Sequence, residues 1–165
     1  MIKLVIFLLF LFLNFKYALS KNIGETEITT EDGIEVFQIE KYYLLKKNVE
    51  IISDEFELNG NLVKISFGKD LYDIQELIAS KDVNFISSEY NIKGKGETLT
   101  FNIKNEQINV TGRESELFLE TTEMFSDGSI TVNNLAGSFS IEGSNSKLIS
   151  EEILELSQVL LNVHF

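Results

Sequence analysis

The residue types that carry most enzyme chemistry are scarce in this chain. There is one histidine, His164, next to the last residue, and no cysteine. A serine or threonine becomes a nucleophile when a positioned base, most often histidine, takes its proton. A single histidine in a tail more readily plays a solvated or packed role, so no catalytic residue is assigned. Without cysteine there is no disulfide framework, no thiolate metal site and no lipidated cysteine. The 26 acidic residues could in principle supply the two converging carboxylates of glycoside hydrolysis, but most fall in the polar phase of strand-like segments. No acidic loop has the calcium pattern of a central glycine and a terminal glutamate, and no histidine cluster offers a zinc or iron site. No metal and no cofactor are expected.

Two short motifs are set aside on context. Lys93-Gly94-Lys95-Gly96-Glu97-Thr98 looks superficially like a phosphate loop, but it lies between strand-like segments instead of opening a helix, so it reads as a hairpin turn. Asn109-Val110-Thr111 matches the glycosylation triplet, whose chance frequency is high. The remaining candidate for function is an apolar face: Val49, Ile51, Phe56, Leu58, Ile65, Phe67, Val83, Phe85, Tyr90, Ile92, Leu99 and Phe101. Such a face is either ordinary core or the lining of a groove that holds an apolar ligand. Composition alone does not separate the two.

The elements that would position this face follow from an internal repeat. Overlaid at an offset of 34, Val49, Val83 and Leu117 fall in one column. Ile51, Phe85 and Leu119 form a second, and Phe56, Tyr90 and Met124 a third. Gly60, Gly94 and Gly128 form a glycine column that reads as a turn. A period of this length also occurs in paired-helix repeats, but apolar residues here recur at spacing two, the strand period. Each unit therefore reads as strand, short turn, strand, glycine turn, strand. In the third unit Ile130 and Val132 sit one residue out of phase with Ile65 and Leu99. A one-residue slip reverses facing, so a bulge is expected there. About ten to twelve strands result, at ordinary strand lengths.

The flanks behave differently. Residues 1–20 read as an export signal, with Lys3, the apolar run Leu4–Leu13 and the small-x-small site Ala18-Leu19-Ser20. Asn14 and Lys16 interrupt the apolar run short of the ~20 residues that span a bilayer. Cleavage would start the chain at Lys21. Losing Lys3 and Lys16 takes the formal charge from -12 to -14, which repels nucleic acid and anionic membrane surfaces. The folded β-domain is expected over 21–147. In the tail, 148–165, Ile149, Ile153, Leu156, Leu160 and Val163 form a helical stripe, with Ser150 as N-cap and Glu151 and Glu152 favouring the helix dipole. Val159, Leu161, Val163 and Phe165 also alternate, so a last strand stays open.

Taken in order, Glu31-Asp32-Gly33-Ile34-Glu35, Tyr42-Tyr43-Leu44, Asn48-Val49-Glu50-Ile51 and Ala79–Ile86 resemble the LptA/OstA lipopolysaccharide-transport family over roughly residues 25–135. Lys47 and Lys81 stand where that family commonly has glycine. The resemblance implies an all-β open β-jellyroll, a slit barrel of repeated antiparallel strands. By the same resemblance the apolar interior would shield lipid A acyl chains of lipopolysaccharide in the periplasm, without catalysis. Head-to-tail association through terminal strand edges is implied too. So are an inner-membrane LptC-like partner and an outer-membrane LptD-like partner. A membrane-anchored LptC-like member of the pathway would share the fold but keep its N-terminal segment, and a β-scaffold with a packed interior would bind nothing.

Overall fold

A computed structural model describes residues 25–70 and 73–150. The expected export signal lies outside them, as does everything after Ser150. Twelve strands run through the described residues: β1 (Glu27–Thr29), β2 (Ile34–Phe37), β3 (Tyr42–Ile52), β4 (Phe56–Phe67), β5 (Ile74–Ser87), β6 (Ile92–Asn102), β7 (Gln107–Thr111), β8 (Ser115–Leu119), β9 (Thr122–Ser126), β10 (Ser129–Asn133), β11 (Ser138–Glu142) and β12 (Ser146–Ser150). All pairings are antiparallel, and the described residues contain no helix.

Each long strand contributes to two walls. The ladder between β3 and β4 breaks between Lys46 and Val49, and that between β5 and β6 between Ser80 and Val83. Strand halves on one side of these breaks form a first wall in the order β2, β3, β4, β5, β6, β7, β10, β11. Halves on the other side form a second wall, β1, β3, β4, β5, β6, β8, β9, β12. Beyond β6 the break becomes complete, and successive short strands serve one wall each. The result is an open β-jellyroll whose walls are joined along the line of breaks.

The breaks explain the two departures from the family's glycines. Lys47 and Asn48 have φ of 63° and 47°, and Lys81 and Asp82 have φ of 67° and 54°. These are left-handed conformations, which glycine reaches most easily. Lysine, asparagine and aspartate occupy them here, 34 residues apart, at the bulge that bends each long strand. The first bulge is also tied down: Glu31 accepts hydrogen bonds from Asn48 Nδ2 at 2.6 Å and pairs with Lys47 at 3.0 Å.

Several sequence expectations change. Of the glycine column only Gly128 falls between strands: β4 runs unbroken through Gly60 and β6 through Gly94, neither of them at positive φ. Lys93–Thr98 is likewise continuous strand, not a hairpin turn. The hairpins lie elsewhere, and left-handed Lys41, Asn91, Glu106 and Glu120 turn the chain where the sequence offers no glycine. In the third unit the expected irregularity is a full break at Asp127-Gly128 between β9 and β10. It separates inward-facing Ser126 from inward-facing Ile130 by an even number of residues, whereas the odd steps Gly60 to Val63 and Gly96 to Leu99 reverse the phase. Ile130 and Val132 thus face inward and are buried in spite of their slip.

The domain also extends past its expected end at residue 147. Leu148, Ile149 and Ser150 belong to β12 and pair with Met124, Glu123 and Thr122, so Ile149 starts no helical stripe. The remainder of that stripe lies outside the described residues.

Asp127 clamps the break in the third unit to the loop before β12. It accepts hydrogen bonds from the Asn145 backbone N–H at 3.1 Å and from Asn145 Nδ2 at 2.7 Å. These bonds, the backbone one first, hold the Asp127 carboxyl below its ordinary range. A group more acidic in the folded than in the unfolded state stabilises when ionised, and that contribution disappears as pH falls through its folded pKa. The stability difference between the parent and Asp127→Asn is therefore expected at pH 7 and should close below pH about 4. Urea midpoints measured across that range check it.

Candidate apolar ligand site

Residues opposite one another on antiparallel strands share a face, so the registers define columns that run across the walls. Ile34, Leu45, Val63, Ala79, Leu99, Val110, Ile130 and Ile141 form one column on the first wall. Val36, Tyr43, Ile65, Leu77, Phe101, Ile108, Val132 and Phe139 form a second. On the second wall Ile28, Ile51, Leu58, Phe85, Gly94, Leu117, Met124 and Leu148 line up in the same way. These three columns are apolar from one end of the sheet to the other, whereas Ser87, Ser115 and Ser126 enter the neighbouring inward columns of the second wall. The central members of the three form a single hydrophobic cluster that draws on both walls.

All twelve residues of the sequence-derived face belong to this cluster or pack against it. Nine of them are buried: Val49, Ile51, Leu58, Ile65, Phe67, Val83, Phe85, Ile92 and Leu99. The other three, Phe56, Tyr90 and Phe101, are half-buried and meet at the free rim, opposite the line of breaks. Phe101 of the first wall lies with its ring centroid 6.4 Å from Phe56 of the second and 6.1 Å from Tyr90. Burial raises the Tyr90 phenol, and the nearby carboxylates of Glu89, Glu106 and Glu55 push it the same way. The rim is therefore a neutral aromatic contact between the walls at physiological pH.

Sequence reasoning missed Leu45, Leu77 and Ala79, which are buried in the same columns. Leu45 ends the run Tyr42-Tyr43-Leu44-Leu45, where four consecutive apolar residues hide the period of two. Leu77 and Ala79 do alternate and could have been found.

Both ends of the columns are uncovered. At the N-terminal end Ile34 and Val36 face inward opposite Leu45 and Tyr43 but are 47% and 49% exposed. At the C-terminal end Phe139 and Leu148, opposite Val132 and Met124, are 47% and 39% exposed. The open concavities lie on other surfaces. One of about 310 Å³ sits on the outer face of the second wall, with Asn59, Asn84, Lys93, Lys95, Glu116 and Phe118 in its lining. The arrangement offers apolar contact between two walls and open sheet edges.

Two apolar walls joined along one side and open at both ends make this chain an open β-jellyroll of the kind that encloses apolar space. More particularly it has an LptA-like fold. It is similar to the solved structure of LptH, the LptA homologous periplasmic component of the conserved lipopolysaccharide transport device from Pseudomonas aeruginosa, with a TM-score of 0.63. The match covers 78% of this chain and 96% of that one at 10% sequence identity. No family model matches the sequence, and no curated protein is similar to it in sequence.

Proposed function

We propose that the protein is a periplasmic carrier or bridge that shields the lipid A acyl chains of lipopolysaccharide between its two walls on the way from inner to outer membrane. It acts without catalysis. One observation carries this reading: three inward columns are apolar from one edge of the sheet to the other, and their end residues Ile34, Val36, Phe139 and Leu148 are uncovered. Apolar burial at about 25 cal/mol per Å² holds acyl chains without any precisely placed polar group. Entry would part the walls at the rim, where Phe56, Tyr90 and Phe101 touch.

The outermost strands supply backbone donors and acceptors for β-augmentation. Ile34 and Val36 at one end, with Phe139 and Leu148 at the other, extend the apolar columns to those edges. Head-to-tail association with further copies, an LptC-like protein at the inner membrane and an LptD-like protein at the outer one follows as part of the proposal.

A second reading, a β-scaffold without ligand, is favoured by the close burial of nine of the twelve lining residues. A photocrosslinking amino acid at Phe101 or Phe85 separates the two. Lipopolysaccharide adducts at either position are expected, and their absence at both rejects the carrier reading. Phe56→Ala should raise adduct yield at Phe101 while lowering stability by about 1 to 3 kcal/mol, because it loosens the rim at a half-buried site.

A further inference from the structure

A groove runs over β6 on the outer face of the second wall, away from the apolar columns. Its middle is a row of three residues in register, Ile86 on β5, Lys93 on β6 and Phe118 on β8. Concavities of about 310 and 490 Å³ meet at these three, one on the side of the bulges and one on the side of the rim. Ile86 is 47% exposed there, an aliphatic surface that the core does not use. Lys93 Nζ lies 4.8 Å from the centre of the Phe118 ring and has no carboxylate within ion-pair distance among the described residues. An ammonium held over a neutral ring keeps its charge available to an anion. Two residues along, Lys95 is already paired with Glu116 at 3.0 Å. In the same row as Lys95, Asn59 and Asn84 stand opposite one another. The Asn59 amide makes no hydrogen bond among the described residues, and that of Asn84 reaches only the Asp82 carbonyl, at 3.5 Å.

We propose that this groove binds a saccharide unit that carries a single carboxylate, a sugar acid of the uronate kind. Each part of the lining selects against a simpler ligand. Ile86 and Phe118 offer a small apolar patch beside the amides, which suits the C–H face of a sugar ring. The paired amides present donors and acceptors side by side, as adjacent hydroxyls require, whereas a purely apolar ligand would leave both unpaired. The one uncompensated ammonium, Lys93, takes one negative charge through a charge-assisted hydrogen bond. Glu57 and Glu116 line the same groove, so a doubly charged phosphate would meet like charge on either side. The groove lies outside the slit and does not depend on what the slit carries.

Titration of the lipid-free full chain with glucuronate, glucose and acetate, followed by amide NMR, tests this. Glucuronate should move the resonances of Lys93 and Phe118 and leave that of Phe101 in place. It should saturate in the millimolar range, with glucose and acetate each about tenfold weaker, since each lacks part of the contacts. Lys93→Met should bring glucuronate down to the affinity of glucose and leave glucose unchanged. Asn84→Leu should weaken glucuronate and glucose together by about fivefold. Lys147→Met, whose ammonium lies over Phe125 outside the groove, should change neither. Lys93 and Asn84 are exposed, so both variants should keep the parent's circular-dichroism spectrum. No saturation by glucuronate up to about 50 mM overturns the proposal. Acetate binding as tightly as glucuronate overturns it too, reducing the groove to a lone ammonium, as does an unchanged preference for glucuronate over glucose in Lys93→Met. Crosslinking of lipopolysaccharide at Phe101 reports on the slit, so failure there and failure here are read separately.

Discussion

Gly94→Val is expected to lower stability by about 3 kcal/mol, shifting the urea midpoint down by one to two molar. Gly94 lies in the inward column of the second wall between Phe85 and Leu117. A Cβ there would stand 2.7 Å from Phe85 Cε1 and 2.8 Å from the Glu116 carbonyl oxygen. The ring can shift, but the carbonyl belongs to the neighbouring strand and cannot move without breaking the ladder. Gly60 holds the equivalent place in the repeat, yet its nearest neighbours would lie at 3.7 Å, ordinary contact. Gly60→Ala should therefore change stability by less than about 1 kcal/mol, with the loss of glycine's backbone freedom acting in its favour. Equal midpoints for the two variants would refute this account of the column.

Leu117→Asp is expected to abolish folding. Leu117 is fully buried between Gly94 and Met124, and a carboxylate placed there meets no cation or donor in its column. The effective penalty of an unpaired buried charge is several kcal/mol, comparable with the whole stability of a domain of this size. Leu148→Asp lies in the same column two strands further on, where the column ends in solvent. It should cost the sheet less than about 1 kcal/mol, as exposed substitutions usually do. Loss of the β circular-dichroism signal for the first variant alone is the expected pattern. Unfolding by both would mean that the C-terminal edge is as integral to the core as the centre.

The contrast between column centre and column end could not be seen in the linear chain. Leu117 and Leu148 are both leucines in strand-like segments, and nothing local distinguishes them. What separates them is the number of strands on either side, which depends on pairing between distant segments. The same limit affected the glycines. Their period of 34 was visible, but whether glycine serves a turn or a close approach depends on what lies opposite. In β6 it is the Glu116 carbonyl beside Gly94, and Val110 with the Thr111 carbonyl beside Gly96, that leave no room for a side chain. Left-handed Lys41, Asn91, Glu106 and Glu120 left no trace in the sequence because each hairpin imposes the conformation on a residue with only modest or poor intrinsic preference for it.

The apolar period of two determined by itself that the described residues form strands and that residues such as Ile51, Leu58 and Phe85 turn inward, whereas Leu45, Ile130 and Val132 were placed only by the paired strands. The period of 34 was legible too, but that it repeats a bulge at Lys47-Asn48 and Lys81-Asp82 emerged only from the paired strands. Only the tertiary structure decided that the strands bend into two walls, that β12 extends the domain to Ser150, and that most of the proposed lining is closed while its ends stay open. Those outcomes depend on register between strands far apart in the chain, and register is set by packing across the sheet, not by any one segment.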